Sequence, residues 1–206
     1  MAQQEQQNDD TFFTLSKVSE GLYKEKGSKF LAFAYPVASE TAIKARLEEL
    51  RKTYYDARHH CYAYILGPKM ESYRANDDGE PNHSAGDPIL GQIRSHQLTN
   101  TLIVVVRYFG GTKLGVSGLI QAYKTAAAEA IANNEILQAF TTTEINFHFD
   151  YLQMNEVMKI MKDYPVEILA QNFDNQCSMS LRLRASMAPS FLAKLEDVGI
   201  NVFSEE

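Results

Sequence analysis

Apolar and polar positions change period several times along the chain, and each change marks an element. Thr11 to Leu15 opens as a β-rich stretch, Glu20 to Gly27 as a charged hairpin or turn, and Phe30 to Val37 as a strand alternating large and small residues. Ile43, Leu47 and Leu50 then recur at i, i+4 and i+7, one face of a helix. This predicts a helix over Thr41 to Arg51, capped by Ser39 or Thr41. Arg58 to Leu66 returns to period two, with Cys61, Ala63 and Ile65 on one face and His60, Tyr62 and Tyr64 on the other. Ser72 to Ala75 is a short partner strand, and Asn76 to Pro88 is a loop punctuated by Gly79, Pro81, Gly86 and Pro88. Asp87 and Pro88 read as N-cap and first turn of a short helix running to about Gln97.

Thr101 to Tyr108 is β-branched and apolar throughout, the pattern of a strand buried on both faces. A glycine-rich turn, Phe109 to Gly118, leads into a long helix. Leu119, Tyr123, Ala126, Ala127 and Ala130 form its apolar stripe, and Asn133-Asn134 ends it. After Gln138 the pattern restarts. Thr143 to Phe149 alternates as a strand, and Asp150 with Gln153 makes a capping box for a helix carrying Met154, Val157, Met158 and Met161. Val166 to Phe173 and Cys177 to Arg184 are strands around an Asp174-Asn175 turn. Leu192, Leu195 and Val198 mark a second helix closed by Gly199, and Ile200 to Phe203 is a last strand. The order βαββαβ predicts a ferredoxin-like unit. The chain is thus expected to be α+β, with a tail over residues 1–10, a first domain over 11–138 and a ferredoxin-like domain over 142–206.

Composition narrows the function classes. A chain of 206 residues, 45% hydrophobic and 22% charged, can bury a core without covalent staples. Two distant cysteines, Cys61 and Cys177, exclude a disulfide framework and a four-cysteine zinc site. No run approaches the roughly 18 apolar residues of a membrane helix, and the Gln-rich, acidic start lacks the pattern of a signal peptide. The expectation is a soluble cytoplasmic protein that does not engage membranes. The net charge of −6 argues against a strongly basic nucleic-acid binder, yet it is uneven. Residues 11–140 hold 15 Lys and Arg against 13 Asp and Glu, whereas residues 141–206 hold 5 against 10. An anionic partner is therefore expected at the first domain.

Eight of the eleven glycines lie between Gly67 and Gly118, and the densest group joins the apolar strand to the long helix. Such a junction points helix N–H groups outward and suits an anion. Arg107, Gly110, Gly111, Thr112, Lys113, Gly115 and Ser117 are the candidate anion cradle, against the plainer reading of a tight turn. The turn is no P-loop, because Val116 and Ser117 stand where Lys and Ser or Thr are required. The acidic loop Asn76-Asp77-Asp78-Gly79-Glu80 is a second candidate, either for Mg²⁺ through oxygen ligands or as a self-bonded turn. A third reading pairs its carboxylates with Arg107 or Lys113 across a cleft. His60, Tyr62 and Tyr64 form an aromatic strand face on which bases could stack, or which could pack under a helix. The histidines show no metal-ligand spacing, so no metal site is expected.

Five segments occur together in one order: Gly27-Ser28-Lys29-Phe30, Ala57 to Tyr64, Asn76 to Pro81, Ser84 to Ile89 and Val104 to Gly115. Over residues 15–135 they closely resemble the IMPACT family in its bacterial, YigZ-like branch, and the remainder resembles the small domain those members append. The resemblance implies a first domain similar to the second domain of a small-subunit ribosomal protein, with a left-handed βαβ crossover. It also implies a role linked to translation, since eukaryotic relatives act in control of initiation. It brings no agreed catalytic residues. Ser117 stands where relatives often have glycine, and it is expected to cap the long helix. The leading expectation is a regulatory protein that binds RNA, the ribosome or a translation-associated protein. The alternatives are a phosphate- or nucleotide-binding enzyme or sensor that uses the acidic loop with Mg²⁺, and a pure protein-interaction module.

Overall fold

A computed structural model describes residues 10–174, 177–200 and 202–203. The chain divides into two compact units, one spanning Phe12–Ala139 and the other joining the start of the chain to Phe140–Glu206. Among the described residues no helix is long and apolar enough to cross a membrane.

The first unit begins with β1 (Thr11–Leu15), β2 (Ser19–Glu25) and β3 (Ser28–Pro36). β2 and β3 form a hairpin through Lys26 and Gly27, both at positive φ as a two-residue turn requires. Helix α1 (Glu40–Thr53) is capped by the Ser39 hydroxyl, which accepts from Ala42 N–H at 3.2 Å. Then come β4 (His59–Leu66), β5 (Ser72–Asn76), α2 (Gly86–Ser95), β6 (Thr101–Tyr108), α3 (Gly115–Ala132) and β7 (Ile136–Phe140). The main sheet runs β2-β3-β6-β4-β5, antiparallel throughout, and β1 pairs separately with β7. Sequence periodicity did not reveal β7, because nearly all of its side chains are exposed and show no alternation.

Both faces of the main sheet are covered. Phe30, Ala32, Cys61, Ala63 and Val105 pack against α2 and against the Leu119, Tyr123, Ala126 and Ala130 stripe of α3. Tyr35, Tyr62, Tyr64, Leu102 and Val104 pack on the other side against Ile43, Leu47 and Leu50 of α1. This corrects the stacking-platform reading. His60, Tyr62 and Tyr64 are 5%, 7% and 7% exposed beneath α1, so no base can reach them.

The second unit contains β8 (Thr142–Phe149), α4 (Met154–Lys162), β9 (Glu167–Phe173), β10 (Cys177–Arg184), α5 (Ala188–Asp197) and β11 (Val202–Phe203). The antiparallel order β11-β8-β10-β9 with helices after the first and third strands is the ferredoxin-like arrangement. The Asp150–Gln153 capping box is formed, and it opens a short 3₁₀ turn that runs into α4. The core-facing stripe of α4 is Val157, Ile160 and Met161, while Met158 faces outward at 40% exposure. The expected Asp174-Asn175 turn lies partly outside the described residues, as do residues 1–9 of the expected tail. Asp10 itself is held. Its carboxylate accepts from Arg184 Nη2 at 2.6 Å and from Ser186 N–H at 2.8 Å. Those bonds, the arginine's first, keep its carboxyl well below the usual range despite its burial.

Candidate functional site

The loop between β5 and α2 is built by its own acidic side chains. Asn76 Oδ1 accepts from Asp78 N–H at 2.8 Å, an Asx turn that places Asp78 and Gly79 at positive φ. Asp77 caps α2 from ahead in the chain: Oδ1 accepts from Ala85 and Gly86 N–H at 2.9 and 2.8 Å, and Oδ2 from His83 N–H at 2.9 Å. Burial alone would raise the Asp77 carboxyl, but these backbone donors outweigh it and hold it below its ordinary value. The cap expected at Asp87 is therefore corrected. Asp87 lies in the first turn and pairs at the surface with His83 Nδ1 at 2.6 Å. Asp78 Oδ2 accepts from His60 N–H at 2.6 Å, and its Oδ1 lies 3.8 Å from Arg51.

Glu80 turns inward, where Oε1 accepts from Arg107 Nη1 at 2.5 Å and from Tyr123 O–H at 2.8 Å. Both ends of the ion pair are buried, Glu80 at 8% and Arg107 at 6% exposure. Cys61 Sγ extends the network, donating to Asp77 C=O at 3.0 Å and lying 3.3 Å from the Tyr123 hydroxyl. Burial pushes both the Cys61 thiol and the Tyr123 phenol far up, so neither ionises near neutral pH. Among the described residues no group of three or more His, Cys, Asp or Glu side chains is placed to hold a metal ion. The three carboxylates of the loop already have partners, an arrangement that fits a brace better than a Mg²⁺ site.

The glycine turn divides by cause. A Cβ on Gly110 would lie 1.9 Å from the Gly27 carbonyl carbon, so two backbones cross there, and Gly110 N–H donates to Ser28 Oγ at 3.1 Å. That crossing accounts for glycine at both 27 and 110 without any ligand. Gly111 and Gly115 face open space, and their reason is conformational, at φ of 90° and 71°. Helix α3 starts at Gly115 with Leu114 in the cap position and no side-chain cap, which corrects the Ser117 expectation. Ser117 lies in the first turn and is exposed, as are Thr112 and Lys113.

These segments meet around one open cleft of about 870 Å³. Glu80 and Pro81 of the acidic loop line one side, and Lys113, Gly115 and Val116 at the start of α3 line another. The reading that paired the loop's carboxylates with Arg107 or Lys113 across a cleft finds its counterpart in Glu80 and Arg107, which pair and both line it. Sequence reasoning passed over the wall of Asp56, Arg58 and His59, which precedes and opens β4, and Phe109, which is 55% exposed beside the glycines. Charged side chains in the lining are three cations, Arg58, Arg107 and Lys113, against two carboxylates, Asp56 and Glu80. Asp56 accepts from Tyr108 O–H at 2.7 Å, a bond that pushes the phenol up to about 12. Arg107 sits over the Phe30 and Phe109 rings, and among the described residues its buried Nε has no hydrogen-bond partner. His59 Nδ1 lies 2.8 Å from Asp78 C=O. A carbonyl only accepts, so Nδ1 carries the proton, and in the neutral ring Nε2 is left as an acceptor.

Residues 26–131 match the Impact N-terminal domain family, more than half of the chain. The chain is 30% identical to YigZ of Escherichia coli over 174 residues, 84% of this chain and 85% of that one. The chain belongs to the IMPACT family. A Thermus thermophilus IMPACT family member is 36% identical over 156 residues, 76% of this chain and 84% of that protein. A solved structure described only as a hypothetical protein superposes with a TM-score of 0.72 at 26% identity, covering 96% of this chain and 98% of that one. In this IMPACT chain Glu80 of the acidic motif and Lys113 and Gly115 of the glycine motif line the cleft. Arg58, His59, Phe109 and Val116 line it together with them.

Proposed function

We propose that this IMPACT-family protein is a translation-linked regulator that acts in the cytoplasm by binding RNA, free or within the ribosome, through its first domain. The observation that carries the reading is the cleft. It has an excess of cations, an uncapped helix start and an exposed aromatic ring in one place. Single-stranded RNA is bound by this combination of positive charge for the backbone and rings for the bases. The second unit supports the choice of domain, since its arginines are already neutralised: Arg182 by Glu144 and Glu167, Arg184 by Asp10. The family resemblance adds the link to translation. The proposed likeness to a ribosomal-protein domain with a left-handed crossover fits the β3-α1-β4 connection, whose two strands flank β6 and run antiparallel to it.

The reading predicts a salt dependence. Arg107 is neutralised by Glu80, so Arg58 and Lys113 are the cations that meet phosphates. Two contacts give a slope of about −1.4 in log K against log salt, or about sevenfold weaker binding from 50 to 200 mM. Fluorescence anisotropy of a labelled single-stranded RNA measures this, and an R58A/K113A variant should flatten it. Absence of binding at low salt would sink the RNA reading and turn the search to a translation-associated protein partner. A Mg²⁺-assisted enzyme has less support, because Asp77, Asp78 and Glu80 are engaged elsewhere.

A further inference from the structure

We infer that the cleft is a nucleotide site that takes a phosphate monoester at the α3 N-terminus and lays the attached base on Phe109. The inference goes beyond the RNA reading, because a free nucleotide and the 5′-phosphorylated end of an RNA present the same chemistry. Four observations converge on it. The volume of about 870 Å³ falls in the range of small-ligand sites and is too large for a lone phosphate. Helix α3 leaves its first N–H groups without a side-chain cap or an acidic first turn, and Gly115 and Val116 border the cleft. Lys113 stands beside them, exposed and, among the described residues, without a carboxylate partner within salt-bridge distance. Helix N–H groups with a lysine form a cradle for a doubly charged phosphate.

The fourth observation is the orphaned Nε of Arg107. The Arg107 side chain is only 7% exposed and lines the cleft, and its neighbour Glu80 engages only Nη1. A donor left unpaired in such a place costs stability unless a ligand oxygen meets it. The same guanidinium lies 5.7 Å from the centre of the Phe109 ring, a contact that steadies this exposed apolar side chain. An aromatic face next to a phosphate cradle is the geometry of a stacked base. Across the cleft His59 Nε2 is an acceptor suited to a ribose hydroxyl, with its tautomer set by Asp78 C=O.

Isothermal titration of the full chain with AMP, adenosine and inorganic phosphate tests the site, with circular dichroism melts to show that each variant is folded. AMP should bind saturably and more tightly than either adenosine or phosphate. Lys113→Ala should weaken AMP roughly tenfold or more, the scale of a charge-assisted hydrogen bond. Phe109→Ala should weaken AMP roughly 5- to 150-fold, the range for loss of base stacking, while leaving inorganic phosphate unchanged. A second arm compares one short RNA with and without a 5′-phosphate. Tighter binding of the phosphorylated strand, lost in Lys113→Ala, supports the site on an RNA end. AMP binding without any RNA binding supports the site for a free nucleotide and removes the RNA reading. Equal binding of both strands with no binding of AMP overturns the inference and leaves the RNA reading standing. Failure of AMP and both strands to bind, or AMP affinity indifferent to both substitutions, overturns it as well.

Discussion

Arg107→Met is expected to strand a carboxylate in the first domain. Glu80 and Arg107 are 8% and 6% exposed and meet at 2.5 Å, with Tyr123 O–H as the other donor to the same oxygen. Removing one partner of a buried pair costs about 3–5 kcal/mol, because the remaining charge keeps its desolvation penalty and loses its compensation. A domain of ordinary stability has about 5–15 kcal/mol in total, so this single change removes a large fraction of it. Replacing both partners by methionine takes away the charge along with its counter-ion. The double variant should therefore recover most of the loss, keeping a residual cost of about 1–3 kcal/mol for the Tyr123 hydroxyl that has lost its acceptor. Urea unfolding followed by far-ultraviolet circular dichroism reads both variants. The chain has no tryptophan, so fluorescence offers less. An Arg107→Met variant within 1 kcal/mol (a threshold set well below the predicted loss) of the parent would refute the argument. So would a double variant as unstable as the sum of the two singles.

Gly110→Ala should lower the melting temperature clearly more than Gly111→Ala: the first forces a Cβ into the Gly27 backbone at 1.9 Å, whereas the second costs about 1–2 kcal/mol for positive φ alone. Thermal melts of the two variants side by side check the order. Asp77→Asn should cost about 0.5–2 kcal/mol by weakening the cap of α2. Because the folded Asp77 carboxyl lies below its ordinary value, its contribution is present above about pH 4 and fades as pH falls through the folded value, so the variant should show a shallower acid limb in pH-dependent melts. His60 is held neutral, first by burial, with Asp78 opposing the shift and Arg51 adding to it. Its depressed folded value makes stability full above about pH 6.5 and decline below it, and His60→Leu should flatten that region in urea titrations at pH 5 and pH 7.

The parts of the fold that sequence made legible are those governed by local period. The two-faced burial of β6, the Leu119 to Ala130 stripe of α3 and the βαββαβ order of the second unit all follow from neighbours within a few turns or strands. The errors came from partners distant in the chain. Tyr62 and Tyr64 alternate correctly, but only α1 arriving above them decides that their face is core. Asp77 caps a helix nine residues on, while Asp87 had the local signature and lacked the position. Gly110 looked like part of an anion cradle because its contact, Gly27, is far away in sequence. In the candidate site, the acidic and glycine motifs were both visible, and a pairing of the loop's carboxylates with Arg107 or Lys113 across a cleft was among the readings they allowed. Their meeting around a cleft with Arg58, His59 and Phe109 depends on how β4, β6 and α3 pack together.

The grip of Asp10 on Arg184 and Ser186 has a consequence for how the protein bears load and how it is made. The second unit takes material from both ends of the chain, so the first domain is in effect an insertion between Thr11 and Phe140. Tension applied at the termini acts first on the ion pair and the second unit, and the inserted domain is shielded until that clasp opens. During synthesis the order is reversed. The first domain has all its residues once position 139 has emerged, whereas the unit that holds Asp10 must wait for β10 to supply Arg184.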